Sequence, residues 1–146
     1  MEITGMAHVF LTAGDFARSA AFYRKLLPFL GMKLVLDGET IIYGVGGRTA
    51  LGVQAPSPEN KGARFDQSRA GFHHLCFRAK DRESVDELHA FLKREGAKIV
   101  RAPEEGPWAP GYYSLLFEDP DGARLEINHL PGRGLLEPGA TIGGAS

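Results

Sequence analysis

The sequence predicts an α+β fold built from two βαβββ modules, and three observations lead there. The run His8-Val9-Phe10-Leu11-Thr12-Ala13-Gly14-Asp15 has a counterpart 66 residues later, His74-Leu75-Cys76-Phe77-Arg78-Ala79-Lys80-Asp81. In both copies a histidine opens a short apolar run and an aspartate follows, placed where its carboxylate can cap the free amides of a helix start. Beyond each aspartate the apolar residues recur at helical spacing, and beyond each helix come three strand-like runs. A chain that repeats itself in this way is two copies of one supersecondary unit.

The first module spans residues 4–54. Phe16, Ala20, Tyr23, Leu26, Leu27 and Leu30 form the apolar stripe of its helix. Pro28 ends or kinks the last turn, and Gly31 supplies a left-handed cap. Strands follow at Met32–Leu36, Thr40–Val45 and Thr49–Gln54, with Gly38 and Gly46-Gly47 at the turns. Residues 55–70 are polar and proline-rich and read as a linker. The second module spans residues 71–130, its helix marked by Val85, Leu88, Phe91 and Leu92 and ended by Gly96. Its later strands are predicted at Lys98–Arg101, Tyr112–Phe117 and Arg124–His129. The turn Glu118-Asp119-Pro120-Asp121-Gly122 joins the last two, Pro120 presetting φ and Gly122 accepting a positive one. Ala102–Gly111, absent from the first module, reads as a long loop stiffened by prolines, and its Trp108 is a candidate pocket wall or lid. Residues 131–146 are glycine-rich and predicted as a flexible tail, so that residues 1–146 make a single domain.

Composition narrows the function. The 146 residues are 43% apolar and 24% charged, which suits a folded chain. A net charge of −1 provides no field to recruit nucleic acid or an anionic membrane, so a small molecule is the expected partner. No segment approaches the roughly 18 uncharged apolar residues of a membrane span, and the start lacks the pattern of a signal peptide. Cys76 is the single cysteine, which excludes an internal disulfide and makes a cytoplasmic setting the expectation.

The histidines suggest chemistry. His8 and His74 open matched strands, and alternation puts Glu126 in mid-strand between Leu125 and Ile127. A carboxylate on a covered sheet face needs a partner charge or a metal. Two histidines and one carboxylate make the facial triad that binds Fe, Mn, Co, Ni or Zn and leaves open positions. The place matching Glu126 in the first module carries Gly52, so no fourth protein ligand is offered. The other reading makes His8 and His74 core histidines and pairs Glu126 with Arg124. Tyr112, Ser114, Arg124 and Asn128 share the face of Glu126, and with Phe10 and Trp108 they form the candidate substrate-binding set. His73 points away from His74 and reads as structural or exposed, and Cys76 as a small packing residue.

These residues carry a family resemblance. His8 with Asp15-Phe16-Ala17-Arg18-Ser19-Ala20-Ala21-Phe22-Tyr23, then Gly71-Phe72-His73-His74-Leu75-Cys76-Phe77, then Asp119-Pro120-Asp121-Gly122 ahead of Leu125-Glu126-Ile127, resemble the vicinal oxygen chelate superfamily. That superfamily includes glyoxalase I, fosfomycin-resistance proteins, bleomycin-resistance proteins and extradiol dioxygenases. The resemblance covers residues 4 to about 130. It implies paired βαβββ modules forming a cupped mixed sheet around one divalent metal ion, with His8, His74 and Glu126 as ligands and Glu126 as the catalytic carboxylate. It implies bidentate chelation of a small oxygenated substrate by a lyase, isomerase, dioxygenase or fosfomycin-type transferase. It also implies a homodimer. Gly52 departs from the glyoxalase I pattern, and Leu116 stands where other members have a tyrosine. The alternative function is a non-catalytic, antibiotic-sequestering binding protein of the bleomycin-resistance type.

Overall fold

The structure, a computed structural model, describes residues 1–142. The chain divides into two compact units, Met1–Phe65 and Asp66–Ser146, and the division falls inside the predicted linker. The first unit runs β1 (Val9–Thr12), α1 (Phe16–Phe29), β2 (Lys33–Asp37), β3 (Ile41–Gly46) and β4 (Thr49–Gln54). The second runs β5 (Leu75–Arg78), α2 (Arg82–Arg94), β6 (Lys98–Glu105), β7 (Tyr113–Glu118) and β8 (Arg124–His129). Each unit is a four-stranded mixed sheet with the same order, β1-β4-β3-β2 in one and β5-β8-β7-β6 in the other. In both, the first strand pairs in parallel with the last, and the remaining pairs are antiparallel. This is the two-module βαβββ architecture expected of the sequence.

The helices begin and end for local reasons. Asp15 accepts from the amide of Arg18 at 3.1 Å. Asp81 accepts from the Ser84 amide at 2.8 Å and from its hydroxyl at 2.6 Å. These carboxylates satisfy amides that have no partner in the first turn. Gly31 and Gly96 take φ of 75° and 69° just past the two helices, where a side chain would be strained. Each helix covers one face of its own sheet. Tyr23, Leu26 and Leu27 pack with Ile42, Leu51 and Val53 in the first unit. Val85, Leu88 and Leu92 pack with Leu115, Phe117 and Leu125 in the second. Alternation then sends the intervening side chains to the face opposite the helix, called the open face below.

Four expectations change. First, β6 continues to Glu105, so the predicted loop shortens to the stretch between Glu105 and Tyr113. Pro103 is tolerated within it because β6 is the edge of its sheet and needs no amide on its outer side. Second, the linker is not a free spacer. It holds a 3₁₀ turn at Pro58–Asn60, and the Gly62 amide donates to the Gly14 carbonyl at 2.8 Å. Gly14 has to be glycine here, since a Cβ would collide with the carbonyl of Ala63. Third, the predicted tail has structure. A 3₁₀ turn forms at Gly134–Leu136, and Glu137 accepts from the Arg133 amide at 2.9 Å. Residues 143–146 of that predicted tail lie outside the described residues. Fourth, Cys76 is exposed on the open face and is not a core residue. Among the described residues no helix is long and apolar enough to cross a membrane.

Candidate functional site

Glu126 owes its place to the turn that precedes it. Asp119 folds the chain back by accepting from the amides of Asp121 at 2.9 Å and Ala123 at 2.8 Å. Strand β8 therefore starts in a fixed register. Across the sheet, Arg101, Leu116, Glu126 and Cys76 are successive partners on β6, β7, β8 and β5. A parallel row places Glu104, Ser114, Asn128 and Arg78 together. The open face of the second unit is thus polar and charged, with Glu126 at its middle and its side chain only 8% exposed.

The two oxygens of Glu126 do different work. Oε1 accepts from the Tyr112 hydroxyl at 2.8 Å and from Arg101 Nη2 at 3.3 Å. Oε2 faces His74, whose Nε2 is 3.2 Å away. A buried carboxylate is tolerable because these groups surround it. The grip on one oxygen holds the other toward the histidine.

Arg101 was not singled out from the sequence, and the reason is a bulge. Plain alternation from Ile99, which pairs with Phe117 on the helix side, would send Arg101 to the same side. The register slips between these residues, and Arg101 pairs instead with Leu116 on the open face. One extra residue in an edge strand re-aims a side chain in this way. Arg101 Nη2 also donates to Ser114 Oγ at 2.7 Å, and its guanidinium lies 4.9 Å from the ring centroid of Trp108. Its Nε is buried and has no hydrogen-bond partner among the described residues, although Glu104 Oε1 stands 3.6 Å off.

Trp108 is folded down rather than raised. Its ring lies over Gly106, where a Cβ would collide with it, and meets Tyr112 edge-on with centroids 5.1 Å apart. Burial pushes the Tyr112 phenol well above its ordinary pKa; a hydrogen bond with Asn128 opposes this and the one to Glu126 adds to it. Tyr112 is therefore a protonated O–H donor at neutral pH, not a phenolate. Cys76 keeps solvent contact, yet the protein packed around its thiol and then the Glu126 charge push that thiol up to about 12. It stays a thiol and is no ready nucleophile.

Other candidates sit elsewhere. Arg124 reaches Glu118, its neighbour across the ladder, with Nε 3.7 Å from Oε1. The pairing of Arg124 with Glu126 considered from the sequence does not occur; Arg101 takes that place. Ser114 and Asn128 are buried on the Glu126 face. Tyr113 points to the helix side, where its hydroxyl donates to Asp86 at 2.7 Å. His73 does not stand apart from His74: the two Nδ1 atoms are 2.8 Å apart.

In the first unit, Phe10 and Gly52 are partners between β1 and β4 at the register point that Cys76 and Glu126 occupy between β5 and β8. Gly52 is thus the counterpart of Glu126, as the repeat implied. The Phe10 ring covers it, so a Cβ there would lie inside the ring. Phe10 stacks on Tyr43 with centroids 5.4 Å apart, and His8 meets Phe10 edge-on at 5.7 Å. The first unit therefore presents aromatic rings where the second presents a carboxylate.

The His74–Glu126 pair fits a shared ion. Two donors each about 2.1 Å from one ion, set about 90–109° apart, lie roughly 3.0–3.4 Å from each other. The observed 3.2 Å falls in that window, and imidazole with carboxylate suits a borderline divalent metal. Within either unit taken alone, and among the described residues, no three His, Cys, Asp or Glu side chains are grouped for a metal.

With the fold and this geometry in hand, comparison with known proteins is decisive about family. Residues 5–127 match the model of the Glyoxalase/Bleomycin resistance protein/Dioxygenase superfamily, and the chain belongs to that superfamily. It is 28% identical to the lactoylglutathione lyase of Salmonella typhimurium, over 89% of this chain and 97% of that one. It is 25% identical to the metallothiol transferase FosB of Staphylococcus epidermidis, over 86% of this chain and 84% of the other. A solved structure from Bacillus halodurans superposes with a TM-score of 0.75 at 29% identity, covering 87% of this chain and 96% of that chain.

Proposed function

We propose that the chain is a divalent-metal-dependent enzyme of this superfamily that acts on a small oxygenated substrate. His8, His74 and Glu126 are the proposed ligands. The observation that carries the reading is the division of labour at Glu126, with Oε1 held by Tyr112 and Arg101 and Oε2 turned to His74 Nε2 at 3.2 Å. A bound divalent ion supplies Lewis-acid polarisation of chelated substrate oxygens. The chain's own residues do the rest. Tyr112 donates a hydrogen bond at the face of the site, and Ser114 and Arg101 keep the carboxylate from rotating. The Arg101 guanidinium in turn lies over the Trp108 ring.

The relatives include a lyase and a transferase, and both reaction classes suit the reading. Gly52 under Phe10 argues against a reaction that needs a second carboxylate. The reading includes a homodimer in the cytoplasm, Fe, Mn, Ni, Co or Zn as the ion, and neither nucleic acid nor membrane as partner. One observation favours a second reading, a binding protein: the exposed stack of Phe10 on Tyr43 could hold a flat ligand without chemistry.

The test is metal content. Protein purified without a chelating tag is expected to bind close to one equivalent of Fe(II), Mn(II), Ni(II) or Zn(II), and a His74→Ala, Glu126→Ala double variant to bind none. Wild-type chain that stays metal-free across all four titrations refutes the enzyme reading and leaves the binding protein.

A further inference from the structure

Trp108 touches both groups that hold Glu126. The Arg101 guanidinium lies over its ring, 4.9 Å from the centroid, and Tyr112 meets it edge-on at 5.1 Å. Arg101 and Tyr112 are also the donors to Glu126 Oε1, at 3.3 and 2.8 Å. The indole therefore stands one residue away from the carboxylate by two routes. Its seat is shaped to it. A Cβ at Gly106 would collide with Cε3 and Cζ3 of the benzo half of the ring. Gly106 is not among the glycines with positive φ, so its lack of a side chain answers to the ring and not to the backbone. Held by these three neighbours, Trp108 is still 37% exposed. Its indole N–H has no hydrogen-bond partner among the described residues. A tryptophan that serves packing alone buries its ring and finds a partner for that N–H. This one keeps a fixed, flat surface open beside the site.

The charge beside the ring narrows what that surface can take. An open indole face attracts cations, but the Arg101 guanidinium already lies over this ring and opposes a second positive charge. A flat uncharged or anionic group meets no such barrier, and it gains the stacked or edge-on contact that aromatic rings prefer. We propose that Trp108 is a specificity-determining residue, selecting substrates that carry a flat unsaturated group, aryl or conjugated acyl, next to their chelating oxygens. The inference rests on the reading of His74 and Glu126 as ligands of an ion. In that arrangement the ion fixes the oxygens of the substrate, and Trp108 discriminates by what is attached to them. Rigidity makes the discrimination effective, because a ring already held by Gly106, Arg101 and Tyr112 loses little freedom when a second flat group lies against it.

The experiment compares two hydroxamates on the zinc-loaded full chain by titration calorimetry. Benzohydroxamate and cyclohexanecarbohydroxamate present the same pair of chelating oxygens on rings of one size, and differ in whether the ring is flat. The ratio of their affinities is read within each variant, which cancels any effect of a substitution on zinc itself. The wild-type ratio is expected to favour benzohydroxamate about 2–10-fold more than the Trp108→Leu ratio does, the contribution of one aromatic pair. Trp108→Phe, which keeps a flat ring, is expected to retain most of that preference. Trp108 is the only tryptophan, so its fluorescence is expected to respond to benzohydroxamate with the midpoint that calorimetry gives. A Trp108→Leu variant with the wild-type ratio overturns the assignment and leaves the ligand reading standing. So does a Trp108→Phe variant that loses the preference as fully as Trp108→Leu, and so does a zinc-loaded wild type that binds neither hydroxamate. A wild-type chain that does not bind zinc, iron, manganese or nickel overturns both.

Discussion

A carboxylate with two free oxygens can swing; Glu126 cannot, because Tyr112 and Arg101 both hold Oε1. Arg101 in turn is braced by Ser114 and by the face of Trp108. If His74 and Glu126 hold the proposed ion, Arg101→Ala is expected to weaken its binding by about 10–100-fold. The same change removes a cation from beside the only tryptophan, so its fluorescence emission is expected to shift; an unaltered spectrum and affinity would contradict this arrangement. Alternation and the repeat drew attention to Glu126 and His74 in the sequence, since both positions recur at matched places. Arg101 was hidden because a bulge is set by strand pairing, which no local pattern records. His73 was hidden for a related reason. It precedes the strand, where the rule that neighbours point to opposite faces no longer applies.

At the level of elements, the two edge strands β2 and β6 both slip register near the same point, between Leu34 and Leu36 and between Ile99 and Arg101. Such bulges also blunt an exposed edge against pairing with another chain. Strands β4 and β8 were legible to the residue, at Thr49–Gln54 and Arg124–His129. They are central strands between clear turns, whereas β6 outran its prediction because proline is no barrier on an edge. Strand β4 also yields a packing prediction. Gly52→Ala forces Phe10 off Tyr43 and is expected to cost about 0.5–1.5 kcal/mol by chemical denaturation, the value of an aromatic pair. In a Phe10→Ala background that cost should vanish, because the stack is already gone. The start of α2 is pH-sensitive in a definite sense. The Ser84 hydroxyl first, then its amide, hold the Asp81 carboxyl below its usual value. A depressed carboxyl contributes fully above its unfolded pKa and loses that contribution as pH falls through the folded one. Asp81→Ala is thus expected to lower the melting temperature at pH 7, by an amount that shrinks as pH falls below the ordinary aspartate pKa of about 3.9.

On the scale of the whole chain, two modules with one strand order have kept their cores and parted at their open faces. If His8, His74 and Glu126 bind an ion that the unfolded chain does not, a hundredfold excess over the dissociation constant adds about 2.7 kcal/mol to stability. Thermal unfolding with and without Mn(II) is expected to show that gain in wild type and none in the His74→Ala, Glu126→Ala double variant. The ring of Phe10 lying on Gly52 also limits what a single change can do. An acid placed at position 52 by one substitution would meet the ring, and removing the ring alone would bare a hole with nothing in it. Giving the first open face a carboxylate like that of the second needs both changes together, so the two halves stand two concerted steps apart.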